Sequence, residues 1–164
     1  LATVIAFRRR TRRRTRIDAS SIALALVLAV LIATGYLVVG QSPEAEPIEG
    51  VSFTMCGPTP HQDCVIDGDT FYLGTQSIRV ADIDTPETHQ PQCAYEAQLG
   101  AQATQRFLQL LNQGPIEIAM WDNRDEDQYG RKLRTVSRNG RSLGAILVSE
   151  GLAREWTGSR QPWC

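Results

Sequence analysis

The 164-residue chain has only two histidines, two methionines and 7% aromatic residues, and no segment of it repeats another. The missing repeat excludes solenoid and propeller architectures. His61 and His89 lie in polar loops and read as solvated, which argues against a histidine-built metal centre or nucleophile. Basic charge is missing where a nucleic-acid binder would carry it. Residues 40–164 hold 10 Lys and Arg against 17 Asp and Glu, a formal charge of −7. A polyanionic ligand would need locally placed arginines or a metal ion to offset that field.

What basic charge there is clusters at the other end. The run "RRRTRRRTR", Arg8 to Arg16, has seven arginines in nine positions, followed by "IALALVLAVLIATGYLVV", Ile22 to Val39, without a charge. Eighteen uncharged residues are long enough to cross a bilayer as a helix and longer than a signal-peptide core. The arginines would hold the N-terminus in the cytoplasm. The expected organisation is a basic cytoplasmic segment over 1–21, a transmembrane helix or signal anchor over 22–39, a Pro/Glu-rich linker over 40–50 and one folded domain over 51–164. That domain would face the periplasm or exterior from the inner membrane. It would be secreted if the segment is cleaved, although "VVGQS" offers no good A-x-A site. A basic nucleic-acid-binding arm is the rival reading, disfavoured by the apolar run beside it.

The four cysteines, Cys56, Cys64, Cys93 and Cys164, all follow that run. An even number in a small exported domain reads as a disulfide framework with three possible pairings. We favour Cys56–Cys64, a short local loop, and Cys93–Cys164, which would tie down the C-terminus. A zinc site of Cys56, His61, Cys64 and Cys93 is the alternative, but its spacing matches none of the usual patterns.

Within the domain, "VSFTM", "TFYLG", "SIRVADI", "IEIAMW" and "KLRTVSRNG" read as strands, the last ending in an Asn-Gly turn. "YEAQLGAQATQRFLQLLNQG" places Leu99, Ala103, Phe107, Leu110 and Leu111 on one helical face, with Gly100 suggesting close packing. "SLGAILVSEGLA" reads as a short helix with Ser142 as N-cap and Gly151 as terminator. Five strands with a long helix after the third predict a mostly β, α+β fold: a five-stranded OB-fold barrel with a capping helix.

The chemistry concentrates in acidic stretches next to arginines. "VIDGDT" carries Asp67 and Asp69, and "ADIDTPET" carries Asp82, Asp84 and Glu87, with Thr85 able to offer a carbonyl. Hard cations such as Ca²⁺ take such oxygen ligands. Arg79 precedes the second cluster, and Arg131 follows the Tyr129-Gly130 turn in "DEDQYGRK". Guanidinium forks suit phosphate, so carboxylates, a hard metal and two arginines point to phosphodiester hydrolysis. The acidic stretch 122–128 reads as a solvated loop, with a second cation site as its alternative.

Taken in order and separation, "VIDGDT", "IRVADIDTPE" and "DQYGRK" closely resemble the staphylococcal (thermo)nuclease family, over roughly Cys64 to Trp156. The resemblance implies an OB-fold and a Ca²⁺-dependent endo- or exonuclease acting on DNA and/or RNA as a monomer. It implies that Asp69 and Asp84 hold Ca²⁺ through carboxylates and Thr85 through its backbone oxygen. Glu87 would be the general base, and Arg79 and Arg131 would bind the scissile phosphate. Tyr129 would edge the nucleotide pocket, and Asp67 would support the loop. Removal of either arginine is expected to leave the fold intact. The chain departs from the family in its acidic domain, in Gln128 where a basic residue precedes the tyrosine, and in ending without the usual final helix. The alternative is an OB-fold module that binds nucleic acid without cutting it.

Overall fold

The computed structural model describes residues 46–122 and 124–164, together with residues 20, 25, 26, 28 and 29, which are helical. The chain divides into two units, Leu1–Glu44 and Ala45–Cys164. Most of the apolar run 22–39, and with it the expected membrane span, lies outside the described residues. Among those described, no helix is long and apolar enough to cross a membrane.

The second unit is a mixed sheet with two helices. Its strands are β1 (Thr54–Met55), β2 (Cys64–Asp67), β3 (Thr70–Leu73), β4 (Gln76–Val80), β5 (Ile83–Asp84), β6 (Glu117–Met120), β7 (Lys132–Arg138), β8 (Arg141–Ser142) and β9 (Arg154–Glu155). Helix α1 (Ala94–Leu111) joins β5 to β6, and α2 (Leu143–Ser149) joins β8 to β9. The main sheet runs β1-β2-β3-β4-β7-β6, with β8 paired to β7, while β5 and β9 form a separate pair. The β1–β2 and β4–β7 pairs are parallel and the others antiparallel.

This corrects the expected closed five-stranded barrel. Among the described residues no strand pairing joins β6 to β1. Instead Ile48 exchanges two backbone hydrogen bonds with Ile116 beside β6, and the chain then crosses to β1. The expected strand 77–83 is also broken. Ala81 N–H turns to Arg134 O, and Ile83 and Asp84 leave the main sheet to pair with Glu155 and Arg154.

Local sequence explains the elements that position the site. Asp67 pairs with Thr70 across a two-residue turn of Gly68 and Asp69. Gly68 is needed for space, since a Cβ there would lie 2.9 Å from both Ala103 Cβ and Thr85 Cγ2. The Asn139-Gly140 turn has φ values of 51° and 72°, the left-handed pair that a tight hairpin needs. Helix α2 starts where Ser142 Oγ accepts from Ala145 N–H. It ends in a Schellman pattern, with Gly151 N–H on Val148 O and Leu152 N–H on Leu147 O.

The core lies between the sheet and α1. Phe53, Phe71 and Phe107 stack edge-to-face with centroids 5.8 and 5.6 Å apart. Val65, Val80, Leu110, Val136 and Leu147 complete it, all essentially inaccessible. The buried face of α1 runs Glu96, Gly100, Ala103, Thr104, Phe107, Leu110 and Leu111, whereas Leu99 is only half-buried. Cys56 is joined to Cys64 and Cys93 to Cys164, as expected. With Cys56 and Cys64 oxidised their sulfurs offer no thiolate, and the His61 ring packs on Tyr72 with centroids 5.0 Å apart, so the zinc alternative falls away.

Candidate active site

The Gly68-Asp69 turn aims Asp69 into the protein, where it is 2% exposed. Its Oδ2 accepts from Thr85 N–H at 3.2 Å and Thr85 Oγ1 at 3.0 Å, and its Oδ1 accepts from Thr70 Oγ1 at 3.1 Å. Oδ1 also pairs with Arg79 Nη1. Arg79 projects from the end of β4, and its Nη2 donates to Ile83 O at 3.3 Å and lies 3.7 Å from Asp84 Oδ1. Asp67 faces the same turn from β2, its Oδ1 accepting from Asp69 N–H at 3.1 Å.

Charge in this cluster is tightly coupled. Burial pushes Asp69 up, but Arg79 and the Thr85 hydrogen bonds outweigh it and hold the carboxyl below its usual range. Burial and then the Asp69 charge push Asp67 up to about 7. Asp84 is also raised, chiefly by burial, against which Arg160 acts most strongly. Burial alone would weaken Arg79's hold on its proton, and the Asp69 charge reverses that.

The Asp84–Glu87 loop is set by α1. A Cβ at Gly100 would lie 2.8 Å from Pro86 O and 3.0 Å from Glu87 O, so this glycine lets the helix press against the loop backbone. Glu96, buried in the first turn of α1, accepts from Glu87 N–H at 3.4 Å and Gln92 N–H at 2.6 Å. Glu87 itself is half-buried and pairs with Arg160.

Arg131 comes from the turn preceding β7. Asp127 orders that turn, its Oδ1 accepting from Tyr129 and Arg131 N–H at 2.9 and 3.0 Å and its Oδ2 from Arg131 Nε at 2.7 Å. Arg131 Nη1 donates to Thr70 Oγ1 at 3.2 Å, so one hydroxyl links Arg131 to Asp69. Two further acids of the stretch pair with β7. Asp125 pairs with Lys132 and Arg134, and Glu126 with Lys132.

A cleft of about 1120 Å³ connects these groups; Asp67, Arg79, Glu87, Tyr129 and Arg131 line it, with Trp121 and Trp156. Tyr129 is 75% exposed, with Arg131 Cζ 5.5 Å from its ring centre. Asp84 and Thr85 face a smaller recess beside Glu87, while Asp69 lines neither space. Sequence reasoning missed Thr70, Glu96, Asp127 and Arg160. Thr70 and Asp127 sit inside the quoted motifs, whereas Glu96 and Arg160 reach the site only through the fold.

The donor set fits a hard cation. Asp84 Oδ1 is buried without a hydrogen-bond donor, and Asp69 and Asp84 share the same guanidinium. An unsatisfied carboxylate oxygen beside a second carboxylate is what such an ion coordinates. Asp69, Asp84 and the Thr85 carbonyl would hold it.

Fold and site together define a small α+β domain with a buried arginine–carboxylate cluster opening on a wide cleft. Residues 77–162, more than half of the chain, match the family described as Staphylococcal nuclease homologue, and the chain belongs to that family. It is 36% identical over 96 residues to Endonuclease YncB of Bacillus subtilis (strain 168), covering 56% of this chain and 45% of that protein. The SPbeta prophage-derived endonuclease YokF of the same organism is also 36% identical over 96 residues, covering 56% of this chain and 32% of YokF. Thermonuclease of Staphylococcus hyicus is 32% identical over 94 residues, covering 55% and 54%. The matched region thus spans about half or less of the length of these relatives.

Proposed function

We propose that the chain is a calcium-dependent nuclease that hydrolyses phosphodiester bonds of DNA and/or RNA outside the cytoplasm. The observation that carries this reading is the convergence of Arg79, Arg131 and Glu87 on one cleft, with Arg79 joined to both Asp69 and Asp84. The printed names of the relatives support nuclease chemistry, and the two cystine pairs support an oxidising compartment. The apolar run 22–39 would hold the domain at the membrane.

Arg131 and Arg79 present N–H donors to the scissile phosphate and stabilise the charge that builds on its oxygens. Glu87 orients a water and accepts its proton. The water oxygen forms a new bond to phosphorus while one ester P–O bond breaks, and the departing oxygen takes a proton from solvent. The products are a phosphomonoester and an alcohol. Asp69, Asp84 and the Thr85 carbonyl would hold calcium, which would supply Lewis-acid stabilisation of the phosphoryl charge. Tyr129, Trp121 and Trp156 offer flat faces to unstacked bases.

The test is cleavage of single-stranded DNA by the purified, oxidised chain with calcium and with chelator, beside an Arg131→Ala protein. Arg131 is the better control because Arg79 shields a buried carboxylate, so its loss disturbs the fold as well as the chemistry. Calcium-dependent cutting that falls by about 100-fold or more in Arg131→Ala is expected for a lost transition-state donor. A folded, calcium-loaded protein that binds DNA without cutting it would establish the non-catalytic module instead.

A further inference from the structure

The C-terminal tail brings a further arginine into the cleft, beside Arg79, Arg124 and Arg131. After β9, Trp156 N–H donates to Asp82 O at 2.9 Å, and Gly158 turns the chain with a φ of 96°. At the far end Cys164 is bonded to Cys93, the residue that caps α1. Between these fixed points, Arg154 donates to Pro162 O at 3.1 Å, and its Cζ stands 3.8 Å from the centre of the Trp163 ring. The segment is therefore held on both sides of Arg160, whose guanidinium lands on Glu87 and lies 3.5 Å from Asp84 Oδ1.

Resting on the nuclease reading above, we infer that Arg160 is a substrate-phosphate ligand mounted by the Cys93–Cys164 disulfide, held on Glu87 until a phosphate replaces that carboxylate. Three observations support it. The Arg160 side chain is 49% exposed, against 9% for Arg79 and 24% for Arg131, so of the cleft's three carboxylate-paired arginines it is the most open to a ligand. Arg79 and Arg131 have carboxylate partners that are largely buried, while the Glu87 side chain is one-third exposed. In an acidic domain whose cleft carries the uncharged Gln128, a phosphate depends on whatever arginines the fold delivers locally. Exchange of one anionic oxygen partner for another keeps the guanidinium paired, and it uncovers the Glu87 carboxylate as substrate arrives.

The experiment compares the full oxidised chain with Arg160→Ala, Arg160→Lys and Cys164→Ser. One arm reads KM and kcat on single-stranded DNA with calcium. The other reads affinity for a short single-stranded oligonucleotide in chelator by tryptophan fluorescence. Arg160→Ala is expected to raise KM and the dissociation constant by about tenfold, the loss of one charged hydrogen-bonding pair, with a smaller change in kcat. Arg160→Lys should recover part of the affinity, and Cys164→Ser should reproduce the Arg160→Ala affinity. Unchanged KM and affinity in Arg160→Ala, beside an active parent, would overturn this role and leave the nuclease reading standing. A rise in kcat or affinity would overturn it as well, making the tail a brake. A parent that binds but does not cut, with weaker binding in Arg160→Ala, supports the phosphate ligand and removes the nuclease reading instead.

Discussion

Among single residues, Asp67 carries the most testable charge. Burial and the neighbouring Asp69 move its carboxyl from 3.8 to about 7 in the folded protein. Between those values the folded chain holds a proton that the unfolded chain has lost, so stability falls as pH rises. The contribution is complete below about pH 4 and gone above about pH 7, with an upper bound of about 4 kcal/mol that partial solvent access reduces. Asparagine keeps the Oδ1 acceptor for Asp69 N–H and removes the charge. In chelator, Asp67→Asn is expected to melt higher than the parent at pH 8 by about 1–3 kcal/mol of stability and to match it at pH 4. Equal melting at both pH values would show that Asp67 is ionised without penalty. Asp67, Asp69 and Arg131 were readable in the sequence because they stand in short local motifs, whose turns also hold the unassigned partners Thr70 and Asp127. Arg160 was not, because a distant disulfide and the β5–β9 pair decide where it lands.

At the level of elements, periodicity and caps located both helices and the Asn-Gly turn, since those signals are local. Strand pairing was less legible. Ala81 and Asp82 interrupt an alternating stretch because their partners are Arg134 of β7, Ser142 of β8 and Trp156 after β9, and no local pattern encodes that. Contact between α1 and the Glu87 loop is also tertiary, and Gly100 was its one visible trace. In an open helix interior, Gly→Ala stabilises by about 1 kcal/mol. Here the added Cβ would meet two backbone carbonyl oxygens at 2.8 and 3.0 Å, neither able to rotate aside. Gly100→Ala is therefore expected to destabilise by about 1–3 kcal/mol and to lower kcat more than it raises KM, because Glu87 moves with the loop. Urea unfolding and steady-state kinetics together check this. A stabilised variant with parental kcat would mean that the helix does not set the loop.

For the whole molecule, the open strand path makes the two cystine pairs more consequential than they would be in a closed barrel. Cys56–Cys64 closes a separation of 8 residues, whereas Cys93–Cys164 closes 71 and encloses α1, β6 to β9 and α2. If a cross-link acts mainly by limiting the unfolded chain, the short loop contributes about 2.5 kcal/mol and the long one about 4 kcal/mol. The long one also holds the tail against the site, so the two pairs differ in what else they change. Replacing Cys93 and Cys164 together by serine is expected to cost about 1–2 kcal/mol more stability than replacing Cys56 and Cys64. Only the first replacement should weaken oligonucleotide binding, because Cys56–Cys64 joins β2 to the loop before it and does not tie down the tail that carries Arg160. Denaturant unfolding of the two double variants, with affinity measured on each while folded, separates stability from the mounting of the tail. A larger loss of affinity from the Cys56–Cys64 replacement would show that the ligand is gripped from the β2 side and that the tail only closes the fold.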